Sequence, residues 1–171
     1  IIPVLNKIDL PASDLNKTNK QIEDVIGIDT ENAVPCSGKT GEGIQEILET
    51  IVKDLPAPKG NLSSKLKSLL VDSWYDSYLG VVILVRVIDG KIRKGMKIKL
   101  MSTNRDYQIE KVGIFTPKAQ DIDELSAGEI GFIITGIKSL SETKVGDTIC
   151  DSNDPIEKPL PGFKPSKPVV F

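Results

Sequence analysis

The first motif that could do chemistry is Asn6-Lys7-Ile8-Asp9, which directly follows the apolar residues 1–5. A carboxylate at Asp9 can accept hydrogen bonds from both N1–H and the exocyclic amine of guanine. Adenine cannot make this pair, because it presents an acceptor at N1 and no amine at C2. Asn6 can tie the loop to its neighbours, and the aliphatic stem of Lys7 can cover one face of the base. By itself, the tetrapeptide is equally compatible with a polar strand-to-loop transition.

A second polar motif, Ser37-Gly38-Lys39, follows the next apolar run, at residues 33–36. The carboxyl ends of adjacent parallel strands lie at one edge of a sheet, where open α/β sheets bind ligands. We therefore expect the two loops to meet there. In that arrangement Ser37 would hold the Asp9 carboxylate, and the Gly38 amide would donate to guanine O6. Taken without Asn6 and Asp9, the second motif is typical of a plain helix-entry turn.

Two strands and two helices are predicted to position these motifs. Residues 1–5 and 33–36 indicate short strands. Between them, Ile22, Val25 and Ile26 fall on one helical face, which we expect to point inward and to end at Gly27. Residues 44–55 carry the strongest helical repeat of apolar side chains in the chain, stopped by a proline. The predicted order is strand, helix, strand, helix.

The pattern changes after residues 56–61, whose proline, glycine and asparagine content is typical of a linker. Asp89-Gly90 is a tight-hairpin signature. Short strands without intervening helices predict a small antiparallel barrel or sandwich. A closing strand is expected at residues 169–171, after a proline-rich segment. The predicted strands of this second half are residues 66–71, 81–88, 96–101, 107–115 and 130–135.

Composition excludes several classes of site. The 171 residues contain no histidine, and Cys36 and Cys150 have no metal-ligand spacing, so zinc sites and histidine acid–base chemistry are excluded within this sequence. Two cysteines without a disulfide pattern favour a reduced, cytosolic protein. The sequence contains no apolar stretch of about 20 residues that could cross a membrane. Residues 1–58 carry five lysines against ten carboxylates, and the remaining residues carry 17 cations against 14 carboxylates. The second half could therefore face an acidic partner.

The two polar motifs resemble the fourth and fifth motifs of P-loop GTPases, N-K-x-D and S-A-K. Gly38 stands where the family usually has alanine, and since only the backbone amide is used, the departure should affect flexibility rather than recognition. Residues 80–95 resemble the barrel hairpin of translational GTPases such as elongation factors Tu and G. The resemblance is most specific to the LepA (elongation factor 4) family of translational GTPases, and it spans the chain. It is carried by residues 72–76, 115–118, 124–129, 145–148 and 159–164.

This resemblance implies a fold and a domain order. Residues 1–58 would be the α/β C-terminal part of a P-loop GTPase domain. Residues 59–155 would be an all-β barrel of the translation-factor domain II type. Residues 156–171 would be a linker and the first strand of a further domain. The phosphate loop and the switch motifs are expected upstream of Ile1, so we expect a piece of a longer protein that cannot hydrolyse GTP alone.

The resemblance also implies ligands and partners. The cofactors would be GTP and GDP, with Mg²⁺ held by residues upstream, so no catalytic or metal-binding residue is expected in this chain. The partners would be the ribosome, through rRNA and ribosomal proteins, and tRNA-bearing complexes. The location would be the bacterial cytoplasm, and peripheral association with the inner membrane stays open. We also expect residues 1–55 to be either poorly ordered or sheltered by self-association, because a two-stranded sheet has unpaired edges. The base-binding residues would be Asn6, Lys7, Asp9, Ser37, Gly38 and Lys39.

Two alternatives remain open. One is a non-enzymatic small β-barrel binding module in which the match at residues 6–9 is accidental. The other is a circularly permuted GTPase, whose phosphate loop would follow the N-K-x-D motif. The nearest candidate for that loop, residues 90–97, has Met96 and Lys97 where lysine and a hydroxyl residue are required, and it lies between predicted strands.

Two side-chain sets in the second half have alternative interpretations. Trp74 and Tyr75 are expected to pack at a barrel corner rather than to form a stacking platform for RNA bases. A set of basic residues is interpreted as a solvated hairpin face, with a phosphate-contacting patch as the alternative. That set comprises Lys91, Arg93, Lys94, Lys97 and Lys99.

Overall fold

The computed structural model describes residues 1–160. The chain divides into two compact units, residues 1–57 and the residues from Pro58 onward. The strand expected at residues 169–171 lies outside the described residues. Within the described part of the chain, no helix has the length and apolar character needed to cross a membrane.

The first unit has the predicted order of elements. Strands β1 (Val4–Leu5) and β2 (Val34–Pro35) pair in parallel, with Val4 opposite Val34. Helix α1 (Leu15–Gln21) begins at Asp14, whose side chain accepts from the Lys17 amide at 3.0 Å. Helix α2 (Ile44–Asp54) follows β2. The expected parallel pairing, which brings the two polar motifs to one edge, is therefore confirmed.

The prediction that Val25 and Ile26 face inward is wrong. Their exposed fractions are 82% and 63%. Residues Ile22–Ile26 form a π-helical turn, which ends at Gly27 with a φ of +73°. A π turn takes more residues per revolution than an α-helix. The 3.6-residue stripe on which the prediction rested is therefore broken at these side chains.

The second unit is built almost entirely of antiparallel strands. Within residues 58–160 the strands are β3 (Lys67–Asp76), β4 (Gly80–Asp89), β5 (Lys91–Arg93), β6 (Lys97–Leu100), β7 (Arg105–Gln108), β8 (Lys111–Phe115), β9 (Ala119–Ile122), β10 (Glu124–Ser126), β11 (Ile130–Ile134) and β12 (Thr148–Asp151). An eight-stranded sheet has the order β7-β6-β12-β3-β4-β11-β8-β9, and β5 pairs with β10 in a separate two-stranded ribbon. A short 3₁₀ turn at Leu140–Glu142 precedes β12.

Two details of the predicted strands are wrong. Residues 107–115 do not form one strand, because β7 pairs with β6 whereas β8 pairs with β11 and β9. Asp89-Gly90 does not close a hairpin, because β4 pairs with β3 and β11 while β5 pairs with β10. Gly90, with a φ of +74°, instead turns the chain at a corner between the large sheet and the ribbon.

Both faces of β4 carry apolar side chains. Its inward residues, among them Val81, Ile83 and Val85, lie in the main core of the unit. On the opposite face, Val82 joins a smaller cluster with Phe132 and Ile134, against which Trp74 packs. The expectation of packing is therefore confirmed for Trp74. It is wrong for Tyr75, whose side chain is 60% exposed.

The smaller cluster depends on a glycine. The rings of Phe115 and Phe132 lie with their centroids 4.9 Å apart. A Cβ atom at Gly113 would lie 2.2 Å from Cζ of Phe132. The absence of a side chain at residue 113 therefore makes room for the Phe132 ring.

The ribbon of β5 and β10 predicts a specific response to acid. Glu124 accepts from Lys91 Nζ at 2.8 Å and from Arg93 Nε at 2.7 Å, and these hydrogen bonds lower the pKa of Glu124 from 4.5 to about 2. Because the folded pKa is below the unfolded one, the contacts stabilise the fold above pH 4.5, and this contribution is lost as the pH falls toward 2. We expect the melting temperature of the wild type to fall more steeply through this window than that of Glu124→Gln. Water screens these partly exposed groups, so the difference should be small. Parallel melting curves across this pH range would contradict the expectation.

Candidate functional site

Backbone hydrogen bonds bring the two polar motifs together at the carboxyl ends of β1 and β2. The Cys36 amide donates to the Leu5 carbonyl at 2.8 Å. The Ile8 amide then donates to the Cys36 carbonyl at 3.2 Å. Cys36 itself is buried, as expected for a small apolar side chain at this position. Its neighbours along the chain therefore face the loop that carries Asn6 and Asp9.

Ser37 links the two motifs through its side chain. Its hydroxyl donates to Oδ1 of Asp9 at 2.7 Å, and it accepts from the Thr40 amide at 3.1 Å. Ser37 is fully buried and Asp9 is half-buried. A buried hydroxyl with two fixed partners has little freedom to rotate, so it holds the Asp9 carboxylate in one orientation.

Asn6 is the second link between the motifs. Its Oδ1 atom accepts from the Lys7 amide at 2.7 Å and from the Gly38 amide at 3.1 Å, and the Cys36 thiol lies 3.8 Å away. The Gly38 amide, which we expected to serve guanine O6, thus donates to Asn6 in this structure. This amide can donate to a base oxygen only if it leaves Oδ1 of Asn6 or divides its hydrogen bond between the two oxygens.

Lys7 has an unusual backbone conformation, with a φ of +70°. Few residues other than glycine adopt this left-handed region, and strain of this kind is concentrated at functional sites. The Lys7 side chain is exposed beside Asn6. Lys39 is also exposed, next to Gly38. The structure thus brings Asn6, Asp9, Ser37 and Gly38 into one contact network, with the two lysines at its border.

A compact glycine-containing turn supports the second motif. The Ser37 amide donates to the Glu42 carbonyl at 2.9 Å, and the Gly41 amide donates to the Ser37 carbonyl at 2.8 Å. Gly41 and Gly43 have φ angles of +86° and +73°. The residue pattern alone gave no role to Gly43 or Thr40. The pattern Gly41-Glu42-Gly43 just before a helix is a signal that could have identified this turn.

The hydrogen-bonding groups of this arrangement match the edge of a base. A rigidly held carboxylate beside backbone amides offers acceptors and donors on one edge, which fits the hydrogen-bonding pattern of guanine. Among residues 1–160, no group of three or more cysteine, aspartate or glutamate side chains is placed to hold a metal ion. This set of hydrogen-bonding groups therefore fits a guanine base.

Known proteins are similar both to part of the second unit and to the chain as a whole. The sequence model of the family "Elongation factor Tu domain 2" matches residues 80–150. The chain is 55% identical over all of its 171 residues to elongation factor 4 of Sorangium cellulosum (strain So ce56), and it spans 28% of that protein.

Two solved structures show the same fold at low sequence identity. A bacterial selenocysteine-specific elongation factor, EF-Sec, matches 88% of this chain with a TM-score of 0.65 and 17% identity, over 26% of its own length. The elongation factor SelB of Methanococcus maripaludis matches 90% of this chain with a TM-score of 0.68 and 16% identity, over 34% of its own length. Across its full length the chain is therefore a homologue of elongation factor 4, and residues 80–150 match the sequence model of the elongation factor Tu domain 2 family.

Proposed function

We propose that this chain is part of a ribosome-associated translational GTPase of the elongation factor 4 kind. The observation that carries the proposal is the 55% identity to elongation factor 4 along the whole chain. Residues 1–58 are the C-terminal part of the GTPase domain and read the guanine base. Residues 59–155 are the β-barrel that docks on the ribosome, through rRNA and ribosomal proteins and close to tRNA-bearing complexes. Residues 156–171 lead into a further domain.

The contacts around Asp9 support the role in base reading. Both oxygens of its carboxylate face guanine N1–H and the exocyclic amine in this proposal, while Ser37 fixes the carboxylate from behind at 2.7 Å. Asn6 holds the second loop by accepting a hydrogen bond from the Gly38 amide. When the base binds, this amide donates to guanine O6 instead. Lys7 and Lys39 cover the two faces of the ring with their aliphatic stems.

Binding of the phosphates and of Mg²⁺ is proposed for the full-length protein and not for the residues of this chain. When bound, GTP with Mg²⁺ supplies the reactive phosphoryl group and the charge that polarises it. The sequence contains no G-x-x-x-x-G-K-[ST] motif. Hydrolysis of GTP to GDP and phosphate is therefore proposed for a full-length protein that includes this segment, and this chain's residues contribute base selection. The proposed location is the bacterial cytoplasm, with a peripheral place at the inner membrane as the alternative.

Because this chain's residues contribute base selection only, we expect the chain itself to bind nucleotides weakly. One charge-assisted contact to the base contributes about 1.5–3 kcal/mol, whereas association costs about 4 kcal/mol or more. We therefore expect a Kd for GDP above about 1 mM. Titration of residues 1–171 with a fluorescent GDP analogue measures it, and saturation at micromolar GDP would contradict the proposal.

The function itself is tested with a full-length elongation factor 4 that carries this segment. We expect GTP hydrolysis that ribosomes stimulate, and binding of labelled GDP that unlabelled GDP displaces and ADP does not. Equal displacement by ADP would exclude the guanine-reading role. Hydrolysis that is indifferent to ribosomes would exclude the role in translation.

A further inference from the structure

Among the described residues, Gly38 is the one glycine that neither backbone conformation nor packing requires. Nine others have a positive φ. At the remaining three, Gly60, Gly113 and Gly131, an added Cβ would lie 2.2–2.5 Å from its nearest neighbour. Gly38 lies outside the left-handed region, and its added Cβ would be 3.8 Å from Oδ1 and 3.9 Å from Nδ2 of Asn6, which are ordinary contacts. A methyl group would fit, so the fold does not explain the glycine at this position.

The Gly38 amide has two acceptors in the proposed binding cycle. In this structure it donates to Oδ1 of Asn6 at 3.1 Å, and in the proposed complex it donates to guanine O6. The exchange costs little at Asn6, because Oδ1 also accepts from the Lys7 amide at 2.7 Å and the Cys36 thiol lies 3.8 Å away. Asn6 therefore keeps hydrogen-bond partners when the Gly38 amide donates to the base.

The residue before Gly38 is held firmly, so residue 38 must supply the freedom for this exchange. Ser37 is fully buried, its hydroxyl donates to Asp9 at 2.7 Å, and its amide donates to the Glu42 carbonyl at 2.9 Å. The Thr40 amide donates to the Ser37 hydroxyl oxygen at 3.1 Å. Turning the amide of residue 38 changes ψ of Ser37 and φ of residue 38. A side chain at residue 38 restricts that φ, whereas glycine leaves it a wide range.

We propose that glycine at residue 38 sets the lifetime of the guanine nucleotide complex, by letting this amide pass quickly between Asn6 and guanine O6. The inference rests on the proposed function, because it requires that the loop reads guanine. Alanine at residue 38 narrows the range of φ and slows the release of O6. Base selectivity stays the same, since it comes from the Asp9 carboxylate. Residue 38 is therefore a positioning residue that controls the rate of nucleotide exchange.

The test measures GDP release from a full-length elongation factor 4 that carries this segment. A fluorescent GDP analogue is bound and then chased with excess unlabelled GDP. We expect Gly38→Ala to lower the dissociation rate constant about two- to fivefold, because alanine leaves the loop fewer conformations to gain on release. The ratio of the affinities for GDP and xanthosine diphosphate should stay at the wild-type value.

Gly41→Ala is the matched control, because it makes the same change in the same turn. Residue 41 has a φ of +86° and no atom within 4 Å of an added Cβ, so alanine there strains the turn without restricting the amide of residue 38. We expect this control to release GDP at the wild-type rate or faster. Slower release therefore cannot come from a general effect of an added methyl group in the turn.

Amide hydrogen exchange of residue 38, in residues 1–171 without nucleotide, gives a second readout. After correction for the intrinsic rates of glycine and alanine, we expect exchange at least about twofold slower in Gly38→Ala than in the wild type. Unchanged or faster GDP release from Gly38→Ala would overturn the inference, and so would equal slowing in Gly41→Ala or a shift toward xanthosine diphosphate. Failure of the proposed function would be distinguishable, because excess ADP would then displace the labelled GDP from the wild type.

Discussion

Asp9→Asn, placed in a full-length elongation factor 4 that carries this segment, is expected to shift nucleotide preference from guanine toward xanthine. An amide at residue 9 offers a donor where xanthine has an oxygen at C2, and it loses the charge that attracts two guanine N–H groups. The lost contact is worth about 1.5–3 kcal/mol, so GDP affinity should fall about 10- to 100-fold. The Ser37 hydroxyl, now 2.7 Å from Oδ1, can still donate to the amide oxygen. The loop should therefore keep its shape.

Competition between GDP and xanthosine diphosphate measures this shift. Ser37→Ala is the matched control, because it removes support for the carboxylate without changing the base code. We expect that control to weaken GDP binding without favouring xanthine. If Asp9→Asn left the selectivity unchanged, Asp9 would have no part in base binding.

Gly43→Ala is expected to have the largest effect on the local fold of the first unit. A Cβ atom at residue 43 would lie 2.2 Å from the Pro35 carbonyl oxygen and 3.0 Å from Cα of Cys36. Both are backbone atoms of the segment that leads into Ser37, so neither can rotate away. With the strain of a φ of +73°, the cost should be roughly 2–4 kcal/mol.

Two other glycines of the same turn provide graded controls. At Gly41, where φ is +86° and no atom lies within 4 Å of the added Cβ, alanine should cost only backbone strain, about 1–2 kcal/mol. At Gly38 the nearest atom would be Oδ1 of Asn6 at 3.8 Å, and alanine should be neutral or stabilise by up to about 1 kcal/mol. Amide hydrogen exchange of residues 34–54 in the intact chain measures all three. An effect at Gly38 as large as that at Gly43 would contradict the steric argument.

The candidate site was predictable because its chemistry is local. Asn6 to Asp9 and Ser37 to Lys39 each follow an apolar run, and parallel pairing of β1 and β2 places both runs' ends together. The contact between Ser37 and Asp9 was expected from this geometry and is present. The donation from Gly38 to Asn6 was not expected, because a short contact between loops depends on atomic positions that a residue pattern does not contain.

The errors in the fold have a different origin. Periodicity predicted that Val25 and Ile26 face inward, and a π turn displaced them. β7 and β8 are separate strands because they pair with different neighbours. Such tertiary pairing overrides local strand propensity. Strands as short as Lys91–Arg93 carry too few residues for an alternating pattern to be visible.

The lack of a side chain at Gly113 also predicts how this family diverges. A Cβ atom added at residue 113 would lie 2.2 Å from Cζ of Phe132. The Phe132 ring therefore fills the space that a side chain at residue 113 would need. An added Cβ would also lie 2.7 Å from the Gln120 carbonyl oxygen, so a smaller residue at 132 would not by itself admit alanine at 113, whereas phenylalanine at 132 requires glycine at 113. An alignment of homologues should therefore show glycine at 113 wherever phenylalanine stands at 132, and glycine should persist where it does not.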